Sequence, residues 1–137
     1  MTAMRESGEM YLETILILKG KKRTVRAIDV AEEMGLSRPS VSRGMSKLRE
    51  NGCIIVEEDG NLAFTEKGQS IAEKIYERHQ VLSCLFRKMG VSEDTATEDA
   101  CRIEHVISDE TFDALRNSSG DDRDRAGFLS VPAAFQI

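Results

Sequence analysis

The sequence predicts a mainly α fold with a small β-hairpin: a winged helix-turn-helix domain followed by a second, helical domain. Three observations carry this. Two amphipathic helical stretches are joined by the short turn Gly35-Leu36-Ser37, the spacing of a helix-turn-helix with a glycine in its turn. The apolar period then changes at Ile54-Ile55-Val56 and Leu62-Ala63-Phe64-Thr65, on either side of Asp59-Gly60-Asn61, as a hairpin requires. From Glu66 a helical period returns and recurs through Arg116.

Glu9 to Lys19 reads as the first helix, stopped at Gly20 with Lys19 and Lys21 beside its C-terminus. Ala27, Val30, Ala31 and Met34 fall at i, i+3, i+4 and i+7, an apolar stripe that Gly35 ends. Ser37 caps the next helix, whose inner face is Val41, Met45 and Leu48 and whose end is Asn51-Gly52. A hairpin directly after these two helices is a wing. Thr65 caps a long helix from Glu66 to Met89, with Ile71, Ile75, Leu82, Leu85 and Met89 inward, and Gly90 ends it. Ser92 to about Ile107 forms another helix and Asp109 to Arg116 a short last one. From Asn117 the run Ser118-Ser119-Gly120-Asp121-Asp122-Arg123-Asp124-Arg125 reads as a solvated linker, followed by an apolar tail from Phe128 to Ile137 that is expected to be poorly ordered.

The chain has 137 residues, 40% of them hydrophobic and 31% charged. It can therefore bury a core without a disulfide or a structural metal, and a collagen-like or wholly disordered chain is excluded. The longest apolar run, Ile15-Leu16-Ile17-Leu18, is far below the roughly 20 residues of a membrane span. Met1 to Met10 has no apolar signal core, and Cys53, Cys84 and Cys101 are widely spaced and odd in number. Both features predict free thiols in a reducing cytoplasm, with no membrane association. The net charge of −5 conceals an asymmetry: residues 1–50 carry ten Lys/Arg against seven Asp/Glu, whereas residues 92–137 carry four against eleven. A basic first third permits polyanion binding that the acidic total would oppose.

The helix after Ser37 is the candidate DNA reader. Ser37, Ser40 and Ser42 are small polar groups near its start that let it approach the major groove and donate to phosphates or bases. Pro39 fits the first turn and offers an apolar face to a thymine methyl. Arg43, one turn in, suits a bidentate contact to guanine. Arg26, Lys47 and Arg49 read as phosphate contacts, which give affinity and register but no sequence information. A solvated amphipathic helix in some other small helical domain has the same pattern.

The sharpest chemical constellation is Cys101-Arg102-Ile103-Glu104-His105. Positions i, i+3 and i+4 share a helix face, so a thiolate, a carboxylate and an imidazole converge, a donor set for a divalent transition metal and not for Ca²⁺ or Mg²⁺. Read alone, the same residues fit a packed Cys101, a solvated Glu104 and a capping or paired His105. His79 lies on the preceding long helix, and Met10 and Glu13 are i, i+3 neighbours on the first. A methionine is usually core and a glutamate usually solvated.

Glu9-Met10-Tyr11-Leu12-Glu13-Thr14-Ile15, Arg78-His79 and above all Asp99-Ala100-Cys101-Arg102-Ile103-Glu104-His105-Val106-Ile107-Ser108-Asp109-Glu110 resemble the diphtheria toxin repressor family, which includes iron-dependent regulators and manganese transport regulators. The resemblance runs from about Arg5 to Arg116. It implies a winged helix-turn-helix DNA-binding domain over residues 1–70 and a helical metal-binding and dimerisation domain over 71–116; residues 117–137, the linker and tail read from composition, resemble neither branch of the family. It implies that Met10, Cys101, Glu104 and His105 form the primary activating metal site of iron-type regulators. Manganese-type members would carry Asp at the place of Met10 and Glu at that of Cys101. The iron-type second site keeps only His79 here, because Ser83 and Thr97 replace its Glu and its other His, and its remaining ligands belong to an SH3-like domain. Glu13 instead matches a carboxylate that manganese-type members use with the His79 position, so Glu13 and His79 form a candidate second site or a hydrogen-bonded pair without metal.

The implied function is that of a metal-activated repressor of metal-uptake genes, with Fe²⁺ preferred to Mn²⁺ and Co²⁺, Ni²⁺ or Zn²⁺ as surrogates. Its partners would be double-stranded operator DNA and a second copy of the chain, with no organic substrate. Three rivals stay open. One is a winged-helix regulator that ignores metal, its Cys/Glu/His cluster being structural. Another is a small metallohydrolase, for which no spare general base or nucleophile–base pair is visible. The last is a protein-interaction winged helix, against which the basic helix after Ser37 counts.

Overall fold

A computed structural model describes residues 6–119. The elements run α1 (Glu6–Lys19), α2 (Ala27–Met34), α3 (Arg38–Glu50), β1 (Ile54–Val56), β2 (Leu62–Phe64), α4 (Glu66–Lys88), α5 (Glu93–Ile103) and α6 (Asp109–Ser119). They fall into two compact units that divide between Glu73 and Lys74. The mainly helical fold with one hairpin is the predicted class. The expected tail lies outside the described residues beyond Ser119, but Asn117, Ser118 and Ser119 continue α6 instead of starting the linker.

The first unit is a three-helix cluster with a hairpin. Its core joins Leu12, Ile15 and Leu18 of α1, Val30 and Ala31 of α2, and Val41, Met45 and Leu48 of α3 with Ile54 and Leu62 of the hairpin. The predicted stripes are thus the faces that meet. Gly35 ends α2 at φ +66°, and the Leu36 N–H donates to the Ala31 carbonyl at 3.0 Å. A left-handed residue is needed there, and glycine takes it without a steric penalty. Ser37 then caps α3, its Oγ accepting from the Ser40 N–H.

Helices α1 and α3 approach closely at one point. A Cβ placed on Gly44 would lie 2.3 Å from Cε2 of the buried Tyr11 ring. A second tight point is Gly68 in α4, where a Cβ would meet the Cys53 carbonyl oxygen at 1.9 Å.

The wing is antiparallel, pairing Ile54 with Phe64, Ile55 with Ala63 and Val56 with Leu62. It is also fastened to the segment before α2. The Leu62 N–H donates to the Val25 carbonyl at 2.7 Å, and the Val25 N–H donates to Asn61 Oδ1 at 3.0 Å. Arg26 Nε donates to the Asp59 carbonyl at 2.8 Å. The turn itself is acidic, with Glu57, Glu58 and Asp59 all exposed.

The second unit packs the rest of α4 with α5 and α6. Val81, Leu82, Ala100 and Phe112 form its core, flanked by Phe86, Ile103, Ile107 and Leu115. Helix α5 stops at Ile103, earlier than the expected end near Ile107, and Glu104 is its C-terminal cap. The reason is long-range. Arg78 Nη1 donates to the carbonyls of Glu104 (3.2 Å) and Ile107 (2.7 Å), and Ser108 Oγ accepts from the Thr111 N–H at 3.0 Å to start α6. The segment is a turn between two capped helices, not the end of one.

Candidate metal centre and nucleic-acid interface

The second unit gathers three of the expected ligands, His79, Cys101 and His105, around the carboxylate of a fourth, Glu104. Glu104 is fully buried. Its Oε2 accepts from His79 Nδ1 at 2.9 Å, and its Oε1 lies 3.3 Å from His105 Nε2. Donor atoms of His79, Cys101 and Glu104 all lie within 4.8 Å of one another. Each position has a cause. His79 is on α4 beside Arg78, Cys101 is in the last turn of α5, and Glu104 and His105 sit in the turn that Arg78 holds.

A buried carboxylate is costly unless partnered, and here two imidazoles flank it. One imidazole, one thiol and one carboxylate within 4.8 Å of one another are the donor types of a first-row divalent ion. They are unlike the all-oxygen set of Ca²⁺ or Mg²⁺. The residues present therefore fit a transition metal on chemistry as well as proximity.

The sequence groups Cys101, Glu104 and His105 on one helix face, and the resemblance sets His79 with Glu13 beside the Cys101–Glu104 face. The fold brings His79 to the Cys101–Glu104 pair and leaves His105 on the carboxylate's other oxygen. Both remaining expected ligands lie on α1 in the first unit: Met10 is 43% exposed, and Glu13 is buried. Arg78 had no predicted role, although its pairing with His79 was visible in the sequence. The signal that could have found it is a buried-type period on α4 occupied by an arginine.

In the first unit, Arg43, Lys47 and Arg49 on α3 are exposed, as are Ser37, Pro39 and Ser42. Ser40 is half-buried and mediates a short chain: Ser37 Oγ donates to Ser40 Oγ at 3.0 Å, and Arg43 Nη2 donates to the same oxygen at 3.4 Å. That chain holds Arg43 near the start of α3. Arg26, expected as a phosphate contact, has its Nε committed to the wing. Arg38 is also exposed at the first position of α3 and belongs with the cations there. Its place beside the capping serine was the overlooked signal. A groove of about 390 Å³ lies between α3 and the wing, lined by Arg26, Ser42, Ser46, Arg49 and Val56 among others.

Among the described residues no helix is long and apolar enough to cross a membrane. Two family models match the chain: the N-terminal DNA binding domain of iron dependent repressors over residues 3–62, and their metal binding and dimerisation domain over residues 65–124. The HTH-type transcriptional regulator MJ0568 of Methanocaldococcus jannaschii is 33% identical over 115 residues, covering 82% of this chain and 92% of that protein. The transcriptional regulator MntR of Escherichia coli is 33% identical over 112 residues, covering 82% of this chain and 72% of that one. The structure of the manganese regulator SloR superposes with a TM-score of 0.72 at 26% identity, covering 82% of this chain. The present chain spans about half of that one, 53%.

Proposed function

This chain belongs to the iron-dependent repressor family of metal-dependent transcriptional regulators, and we propose that within it the protein is a metal-activated, homodimeric repressor of metal-ion uptake genes that binds double-stranded operator DNA. Residues 1–70 read DNA, and residues 71–116 bind metal and dimerise. The observation that carries this reading is the buried Glu104 carboxylate flanked by His79 and His105 with Cys101 beside it, in a chain that also carries a basic, exposed α3.

Cys101, Glu104 and His105 with Met10 are the primary ligands, and His79 with Glu13 a second set. A thiolate and a thioether are softer than the carboxylates that suit Mn²⁺, so Fe²⁺ is the preferred ion, although one structural neighbour, SloR, is named as a manganese regulator. The ion supplies a Lewis-acidic centre that fixes the ligand-bearing segments. The chain's own residues do the rest: His79 and His105 hold the carboxylate, Arg43 reads a base, and Lys47 and Arg49 with Arg38 engage phosphates. Metal favours DNA binding only through its higher affinity for the DNA-competent arrangement, and by reciprocity DNA tightens metal binding.

A second reading is a winged-helix regulator indifferent to metal, favoured by the 2.9 Å His79–Glu104 bond, which gives the buried carboxylate a partner within the chain itself. Anaerobic fluorescence anisotropy on DNA from upstream of this gene and of metal-transport genes separates the two. Binding that appears only with Fe²⁺ or Mn²⁺, and is lost in Cys101→Ala, is the expected result. Tight binding that ignores metal and chelator would establish the second reading, and a retained metal response in Cys101→Ala would overturn the ligand assignment.

A further inference from the structure

We propose that Arg78 is the positioning residue of the metal centre: it fixes the backbone from which Glu104 and His105 project. The inference rests on the metal-binding reading above and names a group outside the proposed ligand set.

Arg78 is only 7% exposed. Its Nη1 donates to the Glu104 carbonyl at 3.2 Å and the Ile107 carbonyl at 2.7 Å, and its Nη2 donates to the Asp109 carboxylate. Its Cζ lies 5.3 Å from the centroid of the Phe112 ring. One guanidinium thus ties together the end of α5, the turn after it and the first turn of α6. Carbonyls at the end of a helix have no partner inside it, and a buried arginine is unfavourable unless its donors are used. The arrangement satisfies both requirements at the turn that carries two ligands.

Helix α4 also holds Glu104 twice, through consecutive residues. Arg78 takes its main-chain oxygen and His79 its side-chain oxygen. Backbone and carboxylate of one ligand are set from a single rigid helix, which is how a coordination site reaches the tolerance that metal affinity demands. Lysine cannot substitute, because a single ammonium lacks the planar fork that spans two carbonyls and a carboxylate.

The test uses the full chain under anaerobic conditions, titrated with Co²⁺ alone and followed by its ligand-field bands, with thermal unfolding of the apo-protein in parallel. Arg78→Lys is compared with Arg116→Met, a control for loss of an arginine over the same ring: Arg116 sits 4.9 Å from the Phe112 centroid, and its ion pairs with Glu77 and Asp113 stay within α4 and α6. Arg78→Lys is expected to weaken Co²⁺ binding about 10- to 100-fold and to alter the band intensities. Arg116→Met should leave affinity and spectrum as in the parent at a comparable loss of melting temperature. If Arg78→Lys does not fold, Asp109→Asn, which removes the charge partner and keeps the carbonyl contacts, should weaken Co²⁺ in the same direction with the same spectral change. Unchanged affinity and spectrum in the folded Arg78 variant, or in Asp109→Asn where that variant stands in for it, would overturn the proposal alone. Equal losses in Arg78→Lys and Arg116→Met would do the same. A parent protein that binds no Co²⁺ would overturn the metal-binding reading with it.

Discussion

Replacing Gly44 by alanine tests the closest helix contact in the first unit. The new methyl would sit 2.3 Å from Tyr11 Cε2, 2.8 Å from Cζ and 2.9 Å from Cδ2, all well inside carbon–carbon contact. The ring is 8% exposed and packed in the core, so α1 and α3 must separate or the ring must leave its rotamer. Overpacking of this kind costs about 1–3 kcal/mol. Against it stands the helix preference of alanine over glycine, about 1 kcal/mol. A contact as short as 2.3 Å belongs in the upper part of the overpacking range, about 2–3 kcal/mol, so the expected net loss is about 1–2 kcal/mol, or roughly 4–8 °C of melting temperature per kcal/mol in a unit of this size. The assay is thermal and urea unfolding by far-ultraviolet circular dichroism on Gly44→Ala, Tyr11→Leu and the double variant. Leucine removes the ring atoms that collide, so the double variant should show a favourable coupling of about 1 kcal/mol. A Gly44→Ala protein as stable as the parent, or strictly additive variants, would refute the contact as the reason for glycine at this place.

Arg43→Ala should relax selectivity at one base pair by about 1–3 kcal/mol, whereas Lys47→Ala should weaken all DNA sequences alike; competition binding against single-base operator variants separates them. Thiol labelling of the native protein should modify exposed Cys101 first and buried Cys53 last, with burial pushing the Cys53 thiol above its ordinary range, and divalent metal should protect Cys101. Because that raised value means the folded chain holds the Cys53 proton more tightly, stability should fall as pH rises above about 9, and Cys53→Ala should flatten the decline. The Asp29 carboxyl is held below the ordinary carboxylate range, first by Lys22 and then by the Arg26 N–H that it accepts. Its contribution should be complete above about pH 4 and lost as pH falls through the lowered value, so the melting-temperature deficit of Asp29→Ala should shrink in acid.

Local signals were the legible ones. Gly35 and Ser37 mark the turn between α2 and α3 because a left-handed stop and a hydroxyl cap are properties of single residues. The change of period at Ile54 marks the wing because a period is carried by a short run of neighbouring residues. The apolar period of the helix from Ser92 runs on to Ile107, whereas its end depends on Arg78, 26 residues earlier than Glu104. The sequence offers no distance between helices, so the bond of His79 to Glu104, 25 residues on, is not legible in it. That Arg26 also ties the wing turn, 33 residues on, through its Nε is not legible in the sequence. In each case the deciding partner lies beyond any sequence window.

The acidic wing turn, fastened by Arg26 and Asn61, has a consequence for the footprint on DNA. Glu57, Glu58 and Asp59 would meet phosphates with like charge, so the hairpin tip is expected to stand off the backbone and release no counterions. Each phosphate contact adds about −0.9 to the slope of log affinity against log salt. A steep slope should therefore arise from the α3 cations alone. Charge-reversing the turn to lysines should steepen it and lengthen the protected stretch at the edge of each half-site, without changing which bases are preferred.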